Sequence, residues 1–340
     1  MKLAIRVDGG GVCGLGHLQR MLALSVQVHA QCPEVQVVLL TRTPAACLSY
    51  ALPGDMLIEL PLARHDERAI EDFVMTHRPD VCVFDIPTDD YSSAFYPRLR
   101  IQTRVVRVDH PWADLASCDV LVLPDLHTDF RAWPLLAEFP DDRLLAGGAY
   151  VLLREEIAQA PVRPWGQRRH ALVVAAGGVD HDQTLWFFHE AVRHLCLGTQ
   201  EVQLLVPPDW QTPGRSWTIG HQCVWRRWTY AAIREAQLFM TTFGVSVYEA
   251  LRAEVPVYVL SRTPTQMACA EQLEVATDGA VIAGPLLAEA QCHPQMLTLA
   301  LQEQLDPGWL RSRQRACSGL IDGRGAHRVA AQILRLHRAG

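Results

Sequence analysis

Long apolar runs are absent from this sequence. No hydrophobic stretch approaches the roughly 20 residues needed to cross a bilayer, and the longest, such as residues 35–40, are strand-sized. The first ten residues pass from a short apolar run into acidic and glycine residues, without the apolar core and cleavage site of a signal peptide. The sequence therefore predicts a cytoplasmic protein without a membrane span.

An excess of basic residues is also absent. The chain has 31 Lys and Arg against 37 Asp and Glu, a formal net charge of -6, which argues against a nucleic-acid-binding surface. With 49% hydrophobic and 20% charged residues, the composition is that of a folded protein. A length of 340 residues suits two domains of ordinary size. Nothing in the sequence indicates the oligomeric state.

The ten cysteines include no CxxC pair, so neither a zinc ribbon nor a thioredoxin-type site is indicated. Several, such as Cys82, lie in apolar runs and are predicted to be small buried thiols. Cys13 lies in a glycine-rich segment, where a small side chain is all that a loop requires. No metal-binding DxD motif is evident in a suitable loop, and Asp89-Asp90 and Asp141-Asp142 are adjacent pairs typical of solvated turns. We therefore expect neither a metal nor a cofactor.

Short apolar runs alternate with helical periodicity from one end of the chain to the other. This repeated βα order predicts an α/β protein with parallel, doubly wound sheets. The predicted strands are residues 3–7, 35–40, 56–60, 81–84, 105–108, 120–123, 170–175, 202–206, 238–241 and 257–260. The predicted helices are residues 17–30, 64–76, 185–195, 231–236, 245–253 and 326–337.

A segment with two prolines and no periodicity, residues 157–167, separates two such halves. We place the domain boundary there, which gives Rossmann-like domains over residues 1–157 and 168–340. Ligands bind outside the carboxyl ends of the strands in such sheets. The two domains are therefore expected to face each other across a cleft.

The glycine-rich loop DGGGVCGLGH, residues 8–17, is the strongest local motif. It follows a strand and opens a helix, so glycines would let the backbone approach a ligand and the helix N-terminus would favour an anion. His17 lies in the first helical turn, where a histidine can act as a base near neutral pH. The alternative is that His17 only bonds a backbone carbonyl of the loop.

Gly9, Gly11 and Gly14 also fit the GxGxxG fingerprint of dinucleotide binding. That fingerprint expects an acidic residue after the second strand, whereas this strand ends in Thr41-Arg42. Because Arg42 could accept a 2′-phosphate, an NADP oxidoreductase remains an alternative.

The spacing Arg6-x-Asp8-Gly9 followed by residues 14–24, GLGHLQRMLAL, resembles the opening of the PseG/SpsG family. This family comprises the UDP-sugar hydrolase of pseudaminic acid biosynthesis and the spore-coat polysaccharide glycosyltransferases, and is similar in fold to GT-B glycosyltransferases. The other similar segments follow in the family's order and are residues 147–156, 176–180, 243–251, 255–256, Gln266 and residues 322–329.

Several positions depart from the family's pattern. Val179 replaces a serine or threonine, and His181 replaces a proline. Residues 84–90, FDIPTDD, are nearer to the spore-coat branch, and Asp109-His110 stands where an acidic pair is common. The sugar, and hydrolysis as opposed to transfer, therefore remain open.

The resemblance implies that the second domain binds UDP. The turn at Gly244 would present backbone N–H groups to the diphosphate at a helix N-terminus, and Glu249 would accept hydrogen bonds from the ribose hydroxyls. A solvated Glu249 is the alternative, and Gln266 has no stronger assignment. The implied nucleotide-binding residues are Gly177, Gly178, Phe243, Gly244, Val245, Ser246, Glu249 and Gln266.

The resemblance also implies that the first domain binds the sugar and that His17 activates the attacking water. Asp8 would orient His17, bind the sugar or simply cap the loop. Arg20 would meet phosphate or pair with nearby acids. The implied substrate-binding residues are Gly14, Gly16, Arg20, Asp85, Asp109 and Tyr150.

The resulting expectation is a hydrolase that cleaves the anomeric C–O bond of a UDP-linked deoxyamino sugar and releases UDP and free sugar. The first alternative is a glycosyltransferase that moves the sugar to an acceptor, and a further one is a nucleotide-binding module without catalysis. Four tryptophans, Trp210, Trp217, Trp225 and Trp228, are expected in a core or interface, with Trp228 near uracil.

Overall fold

A computed structural model gives the structure of the chain as two compact units, Met1–Ala158 with Asp322–Gly340, and Gln159–Ile321. The structure describes residues 1–338 except residues 11–13, 49–54, 62–65, 87–90, 110–116, 129–135, 137–138, 178–182, 199, 208–209, 211–213 and 219–220.

The first unit contains a seven-stranded parallel sheet in the order β3-β2-β1-β4-β5-β6-β7. Its strands are almost continuously apolar because helices cover both faces of such a sheet. The strands are β1 Lys2–Val7, β2 Gln36–Thr41, β3 Met56–Glu59, β4 Val81–Asp85, β5 Arg104–Val108, β6 Val120–Leu123 and β7 Leu144–Ala146.

The described helices of this unit flank the sheet. One face packs Leu3 and Ile5 against Leu18, Val329 and Ile333, and a separate cluster covers the other face. The helices are α1 Gly16–Gln31, α2 Pro44–Leu48, α3 Glu67–His77, α4 Phe95–Leu99, α5 Glu155–Ala158 and, from the end of the chain, α13 Gly325–Arg338.

The second unit contains a seven-stranded sheet in the order β10-β11-β9-β8-β12-β13-β14, with all pairs parallel except β10 with β11. Its strands are β8 His170–Ala175, β9 Glu201–Val206, β10 Arg215–Thr218, β11 His221–Arg227, β12 Ala236–Thr242, β13 Val257–Ser261 and β14 Val281–Leu286. Its helices are α6 Thr184–Val192, α7 Tyr230–Arg234, α8 Val245–Arg252, α9 Pro264–Ala276, α10 Leu287–Cys292, α11 Pro294–Gln304 and α12 Pro307–Ala316.

In each sheet the strand order reverses direction beside the first strand of the unit. The reversal lies between β1 and β4 in the first sheet and between β8 and β12 in the second. Connections leave to opposite faces at such a point, so a crevice opens outside the carboxyl ends of the two strands. Both candidate sites lie at these crevices.

The C-terminal helix belongs to a different unit from the one that the sequence predicts. We expected residues 168–340 to form the second domain, but α13 packs in the first unit. Its buried residues Ala326, Val329 and Ile333 lie in the core beside α1. Gly325 makes the approach possible, because a Cβ there would lie 2.2 Å from the Val151 carbonyl oxygen.

Each predicted strand and helix has a counterpart of the same type, with ends displaced by a few residues. The elements that the sequence does not predict are β7, the β10–β11 hairpin, β14, α2, α4, α5 and α9 to α12. The hairpin strands carry polar residues in place of an apolar run, and α9 buries only Ala270 and Leu273. In the described part of the chain, no helix has the length and apolarity to cross a membrane.

Candidate functional site

His17 and Asp85 form a hydrogen-bonded pair at the crevice of the first unit. Asp85 ends β4, and His17 is the second residue of α1, which the glycine-rich loop connects to β1. His17 Nδ1 lies 2.7 Å from Asp85 Oδ1. The Asp85 side chain is fully buried, whereas the His17 ring is 18% exposed. The ring is thus anchored at one nitrogen and open to solvent elsewhere.

Arg20 determines which nitrogen of His17 carries the proton. Its Nη2 has two hydrogens, and it donates to Asp85 Oδ1 at 2.6 Å and to Asp109 Oδ2 at 2.7 Å. The same Nη2 also lies 2.9 Å from His17 Nδ1, but it has no third hydrogen to donate to that nitrogen. Nδ1 must donate to the Asp85 carboxylate, which leaves the lone pair on Nε2.

The charges around Asp85 keep it ionised. Burial alone would raise the pKa of Asp85, but the charge of Arg20, with His17 and their hydrogen bonds, holds that pKa well below its usual range. Burial would likewise lower the pKa of Arg20, and Asp109 and Asp85 raise it instead. The cluster therefore presents His17 with a permanent negative partner, which stabilises an imidazolium when Nε2 accepts a proton.

Asp109 has a strained backbone at the next strand end. It follows β5 with φ +73°, a left-handed conformation that is uncommon outside glycine. One carboxylate oxygen accepts from Arg20, and the side chain remains 28% exposed. The structure thus brings together four of the predicted site residues, namely His17, Arg20, Asp85 and Asp109.

Asp8 belongs to a second buried network. Arg6 donates to both of its carboxylate oxygens at 2.7 Å, and Arg42 N donates to it at 2.8 Å. Burial alone would raise the pKa of Asp8, but the hydrogen bond and the charge of Arg6 outweigh burial, so this pKa lies below its usual value. These contacts fix the end of β1 to the end of β2. The carboxylate in contact with His17 is Asp85 rather than Asp8.

Asp66 completes this network and is not among the site residues that the sequence predicts. Its buried carboxylate accepts from Arg6 Nε at 2.9 Å and from Arg42 Nη2 at 2.9 Å. No motif marks Asp66, because the arginines that surround it are distant in the sequence. An NADP enzyme would need the Arg42 guanidinium to bind the 2′-phosphate of the cofactor. Here that guanidinium is paired with the Asp66 carboxylate.

The described glycines of the loop serve packing and conformation. A Cβ at Gly9 would lie 2.7 Å from Leu18 Cβ, so only glycine lets β1 meet α1 this closely. Gly14 has φ +66° and open space around its Cα. Gly16 is the first residue of α1, whose first turn has no side-chain cap. Gly11 and Cys13 lie outside the described residues.

Tyr150 lies apart from these clusters. It ends a short 3-10 helix after β7, three strands from β4 in the sheet order, and the N-terminus of α13 packs closely on its backbone. Its assignment as a substrate-binding residue remains a prediction.

The second unit places its predicted residues around the crevice between β8 and β12. Gly177 follows β8 with φ +92°, and a Cβ there would lie 3.4 Å from Thr242 Oγ1 at the end of β12. Phe243 N donates to Leu260 O, and Gly244 caps α8, which begins with Val245 and Ser246. No side chain caps this helix. Gly178 lies outside the described residues.

Glu249 and Gln266 occupy different surroundings. Glu249 lies in α8 and is 6% exposed, which is unusual for a carboxylate and excludes the solvated alternative. Gln266 lies in the first turn of α9, where its Oε1 accepts from Arg262 N at 3.0 Å. Whether either binds a nucleotide remains a prediction.

One tryptophan of the second unit, Trp225, forms part of its buried core. Trp225 is 5% exposed and lies 4.9 Å from Trp186 and 5.9 Å from Trp210 between ring centroids. The expectation of a core role is confirmed for Trp225. Trp228 is half-buried after β11, and the side chain of Trp217 is not described. Among the described residues, no group of three or more His, Cys, Asp or Glu could hold a metal ion.

Comparison with solved structures finds the same fold at low sequence identity. The glycotransferase of kitacinnamycin is 15% identical, with a TM-score of 0.64 over 98% of each chain. A putative UDP-N-acetylglucosamine 2-epimerase from Listeria monocytogenes is 14% identical, with a TM-score of 0.61 over 100% of this chain and 97% of the other. The glycosyltransferase VinC, solved with dTDP, is 13% identical, with a TM-score of 0.58 over 100% of each chain.

No family model matches the sequence, and no curated protein does either. Membership of the PseG/SpsG family therefore rests on the motifs alone. At these identities the similarity of the solved structures extends to the fold and not to the reaction. The chain has the α/β fold of the GT-B glycosyltransferases, built from two Rossmann-like units.

Proposed function

We propose that this protein is a glycosyltransferase that moves a sugar from a nucleoside diphosphate donor to an acceptor hydroxyl, with His17 as the base. The observation that carries the proposal is the hydrogen bond from His17 Nδ1 to the buried Asp85 carboxylate, which leaves the Nε2 lone pair available. In the described part of the chain, Nε2 has no hydrogen-bond partner.

The chemistry follows from that arrangement. Nε2 of His17 takes the proton of the acceptor hydroxyl while the acceptor oxygen bonds to the anomeric carbon. The bond from that carbon to the phosphate oxygen breaks, and the electron pair leaves with the nucleoside diphosphate. The imidazolium that forms is stabilised by Asp85, whose own proton affinity is low. A diphosphate is a good leaving group, so a carboxylic acid on the leaving side is not required.

The second unit is proposed to hold the donor. The uncapped N-terminus of α8 offers backbone N–H groups and positive dipole charge to a diphosphate. Gly177 lets the backbone approach a ligand, and the buried Glu249 suits a ribose diol. The fold similarity to VinC, whose structure contains dTDP, supports a nucleoside diphosphate, and leaves UDP and dTDP as candidates.

Transfer is preferred to hydrolysis because structures of the same fold include glycosyltransferases, such as that of kitacinnamycin. The alternative is the hydrolase expected from the motifs of residues 6–24, in which water replaces the acceptor at the same base. Both reactions need His17, so mutation of His17 alone does not separate them.

The test has two stages. A thermal-shift screen with UDP, dTDP, GDP and CMP first identifies the nucleotide, since a ligand at 100 times its Kd stabilises the native state by about 2.7 kcal/mol. Release of the preferred diphosphate from its sugar conjugates is then measured with and without a panel of hydroxyl acceptors. Acceptor-dependent release supports transfer, whereas rapid release into water establishes the hydrolase instead.

His17→Gln should lower the catalysed rate by about 10²- to 10⁴-fold, because it removes the base, without changing nucleotide affinity. His29→Gln is the matched control: His29 lies on the same helix and its Nε2 is 3.0 Å from a buried Asp55 carboxylate. His29 lies at the opposite end of α1 from His17, so the His29→Gln substitution should leave the catalysed rate unchanged. Equal rates for His17→Gln and wild type would exclude His17 as the base.

A further inference from the structure

A cavity of about 460 Å³ opens at the amino edge of the sheet in the first unit. It lies between the segments that lead into β4 and β5 and the last turn of α13, and its wall includes Arg78, Arg104 and His337. The catalytic cluster lies at the other end of β4, whose five residues span about 16 Å at the usual rise of a strand. The cavity is therefore separate from the crevice that holds His17 and Asp85.

Arg78 brings one positive charge to this cavity. It caps α3 with φ +47°, in the left-handed conformation where glycine is the usual residue. Arg78 is exposed, and its guanidinium has no partner in the described part of the chain. Left-handed conformations are costly for residues with a Cβ, and they cluster at ligand sites. The five N–H donors of this guanidinium are thus available to an anion.

Arg104 brings a second charge from the first position of β5. Its one side-chain partner among the described residues is Asp119, whose Oδ1 lies 3.8 Å from Arg104 Nη1 and already accepts from Arg100 Nη2 at 3.0 Å. The guanidinium of Arg104 therefore makes no hydrogen bond there, and its side chain is 43% exposed. Arg100 also lines the cavity, but its ion pair with Asp119 engages its charge.

Among the described residues of the wall, Asp80 is the one acid, and both of its oxygens are engaged. Asp80 Oδ2 accepts from Lys2 N at 2.6 Å, and Asp80 Oδ1 lies 3.4 Å from His337 Nδ1. Lys2 Nζ lies at the same edge, where it donates to the His77 carbonyl at 2.8 Å. The wall has a surplus of positive charge on a chain whose formal net charge is -6. Such a concave basic surface concentrates anions.

We propose that this cavity binds a small molecule that carries phosphate groups, at a second site of the protein. Arg78 and Arg104 come from different elements, so their planar N–H forks can engage different phosphate oxygens of one molecule. A terminal phosphate offers three oxygens to these donors, whereas a carboxylate offers two. Gln102 and His337 also line the cavity and can bind the remainder of the molecule. A volume of about 460 Å³ suits a small-molecule ligand.

The experiment titrates pyrophosphate into the protein by calorimetry at fixed salt. Wild type is first saturated with the nucleotide that the thermal-shift screen identifies, so that the second unit does not contribute. Arg78→Gln and Arg104→Gln should each weaken pyrophosphate binding by about tenfold, the lower end of the range for hydrogen bonds to charged groups, because both side chains are partly exposed. Arg78→Lys keeps the charge without the fork and should recover part of the affinity. Succinate should bind wild type more weakly than pyrophosphate.

Arg68→Gln is the matched control. Arg68 is also exposed, lies in the first turn of α3 and has no side-chain partner in the described part of the chain. The substitution removes the same charge about 15 Å from Arg78, at the opposite end of the helix. Arg68→Gln should therefore keep the wild-type affinity for pyrophosphate, and every variant should keep the wild-type affinity for the nucleotide.

The inference is independent of the proposed function, and the outcomes separate the two. Equal losses in Arg68→Gln and Arg78→Gln would show that pyrophosphate responds only to the net charge of the protein. No pyrophosphate binding by nucleotide-saturated wild type, or equal affinities of wild type, Arg78→Gln and Arg104→Gln, would show that the cavity is not the site. Succinate binding as tight as that of pyrophosphate would show a carboxylate site instead.

A last arm separates a free molecule from a lipid headgroup with the same phosphate chemistry. Sedimentation of wild type with phosphatidylglycerol vesicles, lost in Arg104→Gln, would identify a lipid surface as the ligand and overturn the inference. Each of these contrary results leaves the proposed function standing. If no nucleotide binds, the titration uses the free protein, and pyrophosphate binding that Arg78→Gln weakens would then support the inference while the proposed function fails.

Discussion

Replacing Asp85 by asparagine tests how the base is held. The carboxylate accepts from His17 Nδ1, Arg20 Nη2 and Arg20 Nε, at 2.7, 2.6 and 2.6 Å. An amide has one acceptor oxygen and one NH₂ group, so one orientation opposes Arg20 Nε with another donor. The reverse orientation turns NH₂ toward His17 and forces Nδ1 to become the acceptor, which moves the proton to Nε2.

Both orientations of the amide damage the site. We expect kcat to fall by about 10²- to 10⁴-fold, as for loss of the carboxylate that holds a histidine tautomer. Nucleotide affinity should stay constant, since the nucleotide is assigned to the other unit. The free energy of unfolding should fall by about 3–5 kcal/mol, because Arg20 loses a partner inside the protein. The assays are steady-state kinetics on folded protein and urea unfolding.

Asp119→Asn provides the matched control. Asp119 is 7% exposed and accepts from Arg100 Nη2 at 3.0 Å and Val105 N at 2.8 Å, at the amino edge of the same sheet. It should lose stability comparably while kcat per folded molecule stays at the wild-type value. A kcat for Asp85→Asn within threefold of wild type would refute the reasoning.

Asp8→Asn separates the two candidate orienting carboxylates. Asp8 pairs with Arg6 and not with His17. Asp8→Asn should therefore lower the free energy of unfolding, while the rate should keep the pH dependence of the wild type. A pH profile that changes in Asp8→Asn and not in Asp85→Asn would return the orienting role to Asp8.

Two further predictions concern stability. Burial by itself would raise the pKa of Asp85. The charges and hydrogen bonds of Arg20 and His17 outweigh burial, so the pKa of Asp85 lies below its usual value. The contribution of Asp85 to the free energy of unfolding is therefore complete above the unfolded pKa of about 3.9 and is lost as pH falls toward the folded pKa. The urea midpoint should drop more steeply below pH 4 in wild type than in Asp85→Asn. Parallel curves of urea midpoint against pH for the two proteins would contradict this. Gly325→Ala should lower the free energy of unfolding of the first unit by about 3 kcal/mol, the upper end of the usual cost of overpacking, because its Cβ would meet the Val151 backbone; calorimetry measures this change. Gly166→Ala, with open space around it, should be neutral, and equal melting of the two variants would show that α13 is not held as described.

Much of the fold follows from local pattern. The apolar runs at residues 3–7 and 170–175 predict buried strands because both faces of a parallel sheet are covered, and β1 and β8 are there. The polar hairpin β10–β11 was missed because an edge strand does not need an apolar run. The placement of α13 was also missed, since periodicity shows that a helix has an apolar face but not which core receives it.

The candidate site divides in the same way. The glycine-rich loop and His17 are contiguous in the sequence, so the motif by itself indicates a base. Asp85 is separated from His17 by 68 positions. Its role as the ring's partner, in place of Asp8, follows from strand order, which puts β4 beside β1. Asp66 is marked by no motif at all.

Two α/β halves, their parallel strands and a histidine at a helix N-terminus can be read from the sequence, because these features depend on residues close along the chain. The carboxylate that binds His17, the core that receives the last helix and the partners of Asp66 become known from the three-dimensional fold alone. These contacts join residues dozens to hundreds of positions apart, and strand order rather than local propensity brings them together.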